Sequence, residues 1–182
     1  MKNYFKRMKV KGKCPPRVPL KHILWSGLGS FLGIFLIGYL GRYCQFSNTE
    51  CLFLVGSFGA SAVLVYGAPL AQLSQPRNLI GGHVISALIG VTVFFLFGSS
   101  EVLAGAIAVS GSIMAMHITR TLHPPGGATA LIAVIGGEKI HALGYIYVLM
   151  PVLAGAVIML IIALKINNLS TNVNRHYPVY WC

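Results

Sequence analysis

Histidines are the side chains in this sequence able to exchange a proton near neutral pH in apolar surroundings. The chain has no aspartate, and each of its three glutamates sits in a polar connection. His83 and His117 lie inside apolar runs, where both are expected to face the bundle interior rather than lipid, and His123 belongs to the stretch Leu122 to Leu131, LHPPGGATAL. Pro124 and Pro125 suit the first positions of a helix because they lack N–H donors that would be unpaired there, and Gly126 and Gly127 let a small ligand approach the backbone. Such a helix start offers unpaired N–H groups and roughly half a positive charge, the makings of an anion site. Gly56-Ser57-Phe58-Gly59 reads as a matching start, with Ser61 and Thr129 presenting equivalent hydroxyls. Two arginines flank the breaks, Arg77 beside Asn78 in QPRN and Arg120 in TRTLHPP. A planar guanidinium meets a planar oxyanion such as carboxylate, nitrate or nitrite through two parallel hydrogen bonds. Plainer roles stand beside these: snorkelling for the arginines, close helix packing for the glycines, and a structural hydrogen bond for His83 beside Gly81 and Gly82. The histidines lack the spacing and the carboxylate or thiolate company of a metal site. With no carboxylate pair, Ser/His/Asp set or phosphate loop either, no metal, cofactor or enzymatic role is expected.

The elements that position these residues are membrane helices. Only 9% of the residues are charged and 55% are hydrophobic, against about 25% charged in a soluble domain. Ile23 to Leu40, Cys51 to Ala68, Leu79 to Phe97, Val102 to Thr119 and Ala142 to Leu164 are free of Lys, Arg, Asp and Glu. Each is near or above the roughly 17 to 25 residues that cross a bilayer. A sixth, Ala128 to Ile135, is too short unless Pro124 to Gly137 contributes. The expected fold is an all-α membrane protein with six hydrophobic segments, the second and fifth short or broken. A basic cytoplasmic tail over 1–22 precedes the membrane domain, 23–164, and a cytoplasmic C-terminal tail, 165–182, follows it.

The net charge of +11 is a matter of topology, since eight of the fourteen basic residues lie in the first 21 positions. Lys2, Lys6, Arg7, Lys9, Lys11, Lys13, Arg17 and Lys21 form a tail held in the cytoplasm and able to touch anionic lipid, not nucleic acid. Six crossings put Arg77, Arg120, Lys165 and Arg175 on the same side, and all three glutamates on the other with only Arg42 and Lys139. Ile23 to Leu40 is too long for a cleavable signal peptide. Cys44 and Cys51 lie across the first connection, where a disulfide is one option and two free thiols the preferred one.

GASAVLVYG from Gly59 and GATALIAVIG from Gly127 match at an offset of 68, their closing glycines one residue out of register. Each copy is the middle of three segments, and three spans per copy turn the second upside down. The result would be a 3+3 inverted repeat, an arrangement that places a solute site between broken helices near the midplane. The alternative is four spans plus two re-entrant segments.

The ordered motifs GSFGASAVLVYGAP, QPRNLIGGH and RTLHPPGGATAL resemble those of the HPP family of integral membrane proteins, named for residues matched here by His123, Pro124 and Pro125. The likeness covers about Leu24 to Leu164. It implies a compact helical bundle, usually described with four spans, and a transport role, with nitrite the substrate of some members. Pro76, Arg77, Asn78, His83, Arg120, His123, Pro124, Pro125, Gly126 and Gly127 match the motifs and are the site candidates it implies. Some relatives carry a soluble CBS region, which the roughly eighteen residues after the last segment would not accommodate. The expected function is a transporter or channel for a small monovalent oxyanion in a bacterial inner membrane. Its partners would be the anion, membrane lipids and further copies of the chain in a homo-oligomer. A non-transporting scaffold that binds partners or lipid is the alternative.

Overall fold

The computed structural model describes residue 7 and residues 14–172 and 175–182; Lys2, Lys6, Lys9, Lys11 and Lys13 of the expected basic tail lie outside the described residues. All regular structure among the described residues is helical. Helix α1 spans Leu20–Tyr43 and α2 spans Asn48–Ala62, prolonged by a π-helical turn at Val63–Gly67. After a short 3-10 turn at Gln72–Ser74 come α3 (Pro76–Phe97), α4 (Glu101–Ile118), α5 (Pro124–Ile135) and the short α6 (Glu138–Leu143). A π-helical turn at Val148–Leu153 leads into α7 (Ala154–Leu169). Leu20–Tyr43, Pro76–Phe97, Glu101–Ile118 and Val148–Leu169 are long and apolar enough to cross a membrane, and Leu54–Gly67 and Pro124–Ile135 are shorter apolar helices among them. The twelve residues of α5 rise about 18 Å, well short of a hydrocarbon core of about 30 Å.

The apolar windows become helices close to where the sequence puts them, with two differences at the last. Gly144, at φ +50°, ends α6 and delays the final span to Val148, and a non-helical Met150 before Pro151 kinks that span near its start. That span then continues past Leu164 to Leu169. Large apolar side chains such as Phe31, Leu96, Val102, Ile118 and Leu149 are exposed, as a lipid-facing surface requires. Inside, α1, α2 and α7 share one core around Ile37, Phe58, Tyr66 and Met159, while α3 packs on α4 and α5. Small residues permit the contacts. A Cβ on Gly33 would stand 2.7 Å from the Tyr66 hydroxyl, and one on Gly90 would stand 2.5 Å from the Ala130 carbonyl oxygen.

Hydrogen bonds tie the loops at each end of the bundle. At one end Lys21 Nζ donates to Thr171 Oγ1 (2.9 Å), Arg77 Nη2 to the Thr119 carbonyl (2.9 Å) and the Tyr177 hydroxyl to the Ser74 carbonyl (3.0 Å). The segment after the last span packs onto the bundle, and Arg175 and Tyr177 are fully buried. At the opposite end Glu50 joins two elements. Its carboxylate accepts from the Ser47 amide (2.7 Å) in a capping box at the start of α2, and from the Lys139 amide (3.1 Å) at the start of α6. Cys44 and Cys51, near this end, are both free thiols.

Burial acts to raise the Glu50 pKa, but the Ser47 amide and side chain, the Lys139 amide and the Lys139 charge together hold it below its ordinary 4.5. A carboxyl lowered on folding contributes stability above its unfolded value, and that contribution is lost as pH falls through the folded value. Thermal unfolding in detergent between about pH 6 and pH 3 is expected to show a steeper loss of Tm for the wild type than for Glu50→Gln. Parallel curves would show that this junction contributes nothing.

Candidate functional site

The two short apolar helices cross α3 at a buried polar cluster. Ser57 and Ser61 stand one turn apart on the same face of α2, His83 comes from α3, Thr129 from the second turn of α5, and His123 from the residue preceding α5. All five are buried. His123 reaches this depth because α5 begins close against α3. A Cβ on Gly82 would lie 2.4 Å from the His123 Cβ, and a Cβ on Gly126 would lie 2.8 Å from the Gly82 carbonyl oxygen and 2.7 Å from Ser86 Oγ. These two glycines are required by close approach.

Every ring nitrogen of the cluster has a partner. His123 Nδ1 lies 2.8 Å from the Leu73 carbonyl oxygen, and its Nε2 lies 2.9 Å from Ser61 Oγ. Ser61 Oγ is also 2.7 Å from His83 Nε2, while His83 Nδ1 is 2.7 Å from Thr129 Oγ1. Thr129 Oγ1 is 2.8 Å from Ser57 Oγ, which stands 3.1 Å from the Pro125 carbonyl oxygen. A carbonyl only accepts, so neutral His123 carries its proton on Nδ1 and its Nε2 accepts from the Ser61 hydroxyl. Ser61 has one proton to give and must accept from His83 Nε2–H. His83 Nδ1 is then an acceptor for Thr129, and Thr129 an acceptor for Ser57. With both rings neutral, the Leu73 carbonyl orients the set from His123 to Thr129, while the one Ser57 proton has two acceptors, Thr129 Oγ1 and the Pro125 carbonyl.

The structure thus brings together Ser61, His83, His123 and Thr129 of the residues singled out from sequence. Asn78, buried, donates from Nδ2 to the Leu122 carbonyl (2.8 Å) and holds the segment before His123. Arg77 and Arg120 stay at the end of the bundle, outside the cluster. Arg77 Nη2 bonds the Thr119 carbonyl, and Arg120 is exposed at φ +57°. Pro125 and Gly126 are buried in the start of α5, and Pro124 is exposed. Gly127 turns away from the cluster, toward an apolar groove of about 560 Å3 lined by Val109, Ile113, Met116, His117, Leu122 and Leu131 among others.

Two expectations are corrected. Gly56 to Gly59 is not a helix start, because the capping box begins α2 at Asn48 and those residues lie within the helix. The N–H groups near Gly59 are therefore not those of a helix terminus, and the start of α5 has no counterpart in α2. His117 does not face the interior: at the last turn of α4 it is exposed and reaches the polar end of the bundle. The sequence reading missed the Leu73 carbonyl and the cluster role of Ser57. The offset of 68 that pairs Ser61 with Thr129 also pairs Ser57 with Pro125, the residue it bonds.

A family profile described as HPP, transmembrane region, matches residues 15–178. The chain is similar to two transmembrane proteins of Dictyostelium discoideum, 46% identical over 182 residues and 45% over 184. The matches cover 98% of this chain in both cases, but the chain spans only 57% and 63% of the relatives' lengths. No solved structure matches.

Adjacent glycines at the start of α5 are expected to respond differently. Gly126→Ala forces Cβ against the Gly82 carbonyl and should cost about 1–3 kcal/mol. Gly127→Ala meets only Val109 Cγ1 at 3.7 Å and should leave stability within about 0.5 kcal/mol of the wild type. Thermal unfolding of both variants checks this, and equal Tm values would contradict the packing of α5 on α3.

Proposed function

Since the chain belongs to the HPP transmembrane family, we propose that this integral membrane protein is a transporter or channel for a small monovalent oxyanion, nitrite first. The observation that carries the reading is the buried cluster of two imidazoles and three hydroxyls where the short helices cross α3. Polar side chains at such depth are costly in a bilayer and mark solute or proton paths. The sign of the solute follows from the charges. All three glutamates start elements at or near one end of the bundle, and Arg77 and Arg120 stand with the start of α5 at the other. An anion drawn to the two guanidinium groups would meet the positive end of the α5 dipole, where Gly127 brings no side chain; Pro124 and Pro125 supply no N–H there and the Gly126 N–H is taken by the His123 carbonyl, so the attraction is that of the dipole and the arginines.

The 3+3 inverted repeat is part of this proposal. In its favour, the hydroxyls of Ser61 and Thr129, equivalent at the offset of 68, take the two opposite nitrogens of His83. The third helix of each triad also packs on helices of the other, α3 on α4 and α5, and α7 on α1 and α2. Charge bias supports a cytoplasmic position for the basic end, and with it both termini. The bacterial inner membrane has only the family resemblance behind it, and the relatives matched are from Dictyostelium discoideum. Small residues that open onto the surface of the bundle, such as Gly27 and Gly56, support a homo-oligomer.

A scaffold without transport is the second reading, and one observation favours it: each cluster nitrogen and hydroxyl already has a partner within the protein. Uptake into liposomes separates the two. Saturable nitrite flux above empty liposomes is expected, compared with formate, nitrate and chloride, and it should fall roughly tenfold in Arg120→Gly. Glycine suits the left-handed backbone at this position, so this variant removes charge without adding strain. Undiminished flux in a folded Arg120→Gly protein would remove Arg120 from the path, and no flux of any anion would favour the scaffold.

A further inference from the structure

We infer that Ser57, Thr129, His83, Ser61 and His123 form a proton wire from the middle of the bundle to its basic end. The coupling of this proton to solute movement rests on the transport reading above; the wire itself rests on the hydrogen-bond geometry. Its links are 2.8, 2.7, 2.7 and 2.9 Å, and a further 2.8 Å joins His123 to the Leu73 carbonyl. From Thr129 onward the donors point one way: Thr129 donates to His83 Nδ1, His83 Nε2–H to Ser61, Ser61 to His123 Nε2, and His123 Nδ1–H to Leu73. The single Ser57 proton has two acceptors in reach, the Pro125 carbonyl and Thr129 Oγ1, and it must turn to Thr129 to begin a passage.

Passage of one proton balances as follows. A proton taken up at Ser57 Oγ displaces the Ser57 hydroxyl proton to Thr129, and the Thr129 proton forms a new N–H bond at His83 Nδ1. His83 releases its Nε2 proton to Ser61 Oγ, and the Ser61 proton bonds to His123 Nε2. His123 then releases its Nδ1 proton at the basic end. One proton has entered and one has left, each histidine has exchanged its tautomer, and each hydroxyl has reversed, so the chain must turn back before a second passage. The last release goes to a water molecule that takes the place of Leu73 O as acceptor and leaves as hydronium, because a carbonyl accepts a hydrogen bond without passing the proton on. The loop carrying Leu73 is clasped by the C-terminal segment. Tyr180 OH donates to the Gln72 carbonyl, Tyr177 OH to the Ser74 carbonyl, and the Val179 amide to Gln75 Oε1.

The elements packed around the wire bring no competing charge. From α2 come the two serines and the Phe58 ring, 4.7 Å from the His83 ring centroid. The two imidazoles lie 5.1 Å apart. From α5 comes Thr129, and from the segment before α7 comes the Tyr147 phenol, which donates to the Thr129 carbonyl. Ser86 of α3 turns to Met116 of α4. Among the described residues no carboxylate, ammonium or guanidinium bonds to the wire, so both the rest position and the passing charge belong to the imidazoles.

The test uses the full chain in liposomes holding a pH-sensitive dye, with a potassium diffusion potential drawing protons inward. It is run with nitrite equal on both sides and again with chloride alone. Wild-type acidification is expected to exceed that of Ser61→Ala by roughly tenfold or more in at least one condition, with Ser61→Thr within about threefold of the wild type. Equal rates in wild type and Ser61→Ala, or no wild-type rate above empty liposomes, overturn the wire. A second readout needs no flux: imidazole nitrogen-15 shifts of the purified protein should place the His123 proton on Nδ1 and the His83 proton on Nε2. The reverse tautomers overturn the direction. Proton movement without saturable uptake of any oxyanion would sink the transport reading and leave the wire standing.

Discussion

The bond from His123 Nδ1 to the Leu73 carbonyl is the one contact on which the interior depends. It joins the residue before α5 to the loop before α3, fifty positions away in sequence. A carbonyl has no proton to give, so this bond fixes one tautomer, and the fixed tautomer fixes the donors of Ser61, His83 and Thr129 in turn. It also sets the position of α5, because His123 fits against α3 only over Gly82, and the next turn packs only over Gly126. Hydrogen-bond direction and helix packing are the same constraint met at two scales.

Cutting a helix inside a membrane protein exposes carbonyls that lipid cannot satisfy. The end of α2 shows how this chain meets that cost. Ser74 Oγ caps the Leu64 carbonyl (3.0 Å), Asn167 Nδ2 the Val65 carbonyl (3.1 Å), and Arg175 Nη2 with Ser26 Oγ the Tyr66 carbonyl (both 2.7 Å). Arg175 also donates to the His22 carbonyl and to Ser26 Oγ. A cation at the C-terminal end of a helix is favourable for its dipole as well. This guanidinium is thus part of the framework, while Arg77 and Arg120 stand nearer the surface, Arg77 on the Thr119 carbonyl and Arg120 exposed.

The sequence made the all-helical membrane class legible because apolar runs of span length have few other uses. Ser61, His83, His123 and Thr129 were legible as buried chemistry for a related reason: polar side chains in such runs need partners. The start of α2 was misread because Gly56 and Gly59 drew attention from a stronger signal, Ser47 with Glu50 three residues on, which is a capping box. His117 reads as interior because it lies within an apolar run, although the last turn of a span can expose a side chain to headgroups. Arg175 and Tyr177 looked like tail residues, since charge counting does not register a hydrogen bond to a carbonyl more than a hundred positions earlier.

That separation orders the maturation of the protein in time. The π-helical end of α2 leaves the ribosome 109 residues before the guanidinium that caps Tyr66. During synthesis the Tyr66 carbonyl must rely on interfacial water or on Ser26 until Arg175 has been made. The bundle is closed by the segment that follows α7, so a nascent chain halted just after α7 would hold its spans without its lock.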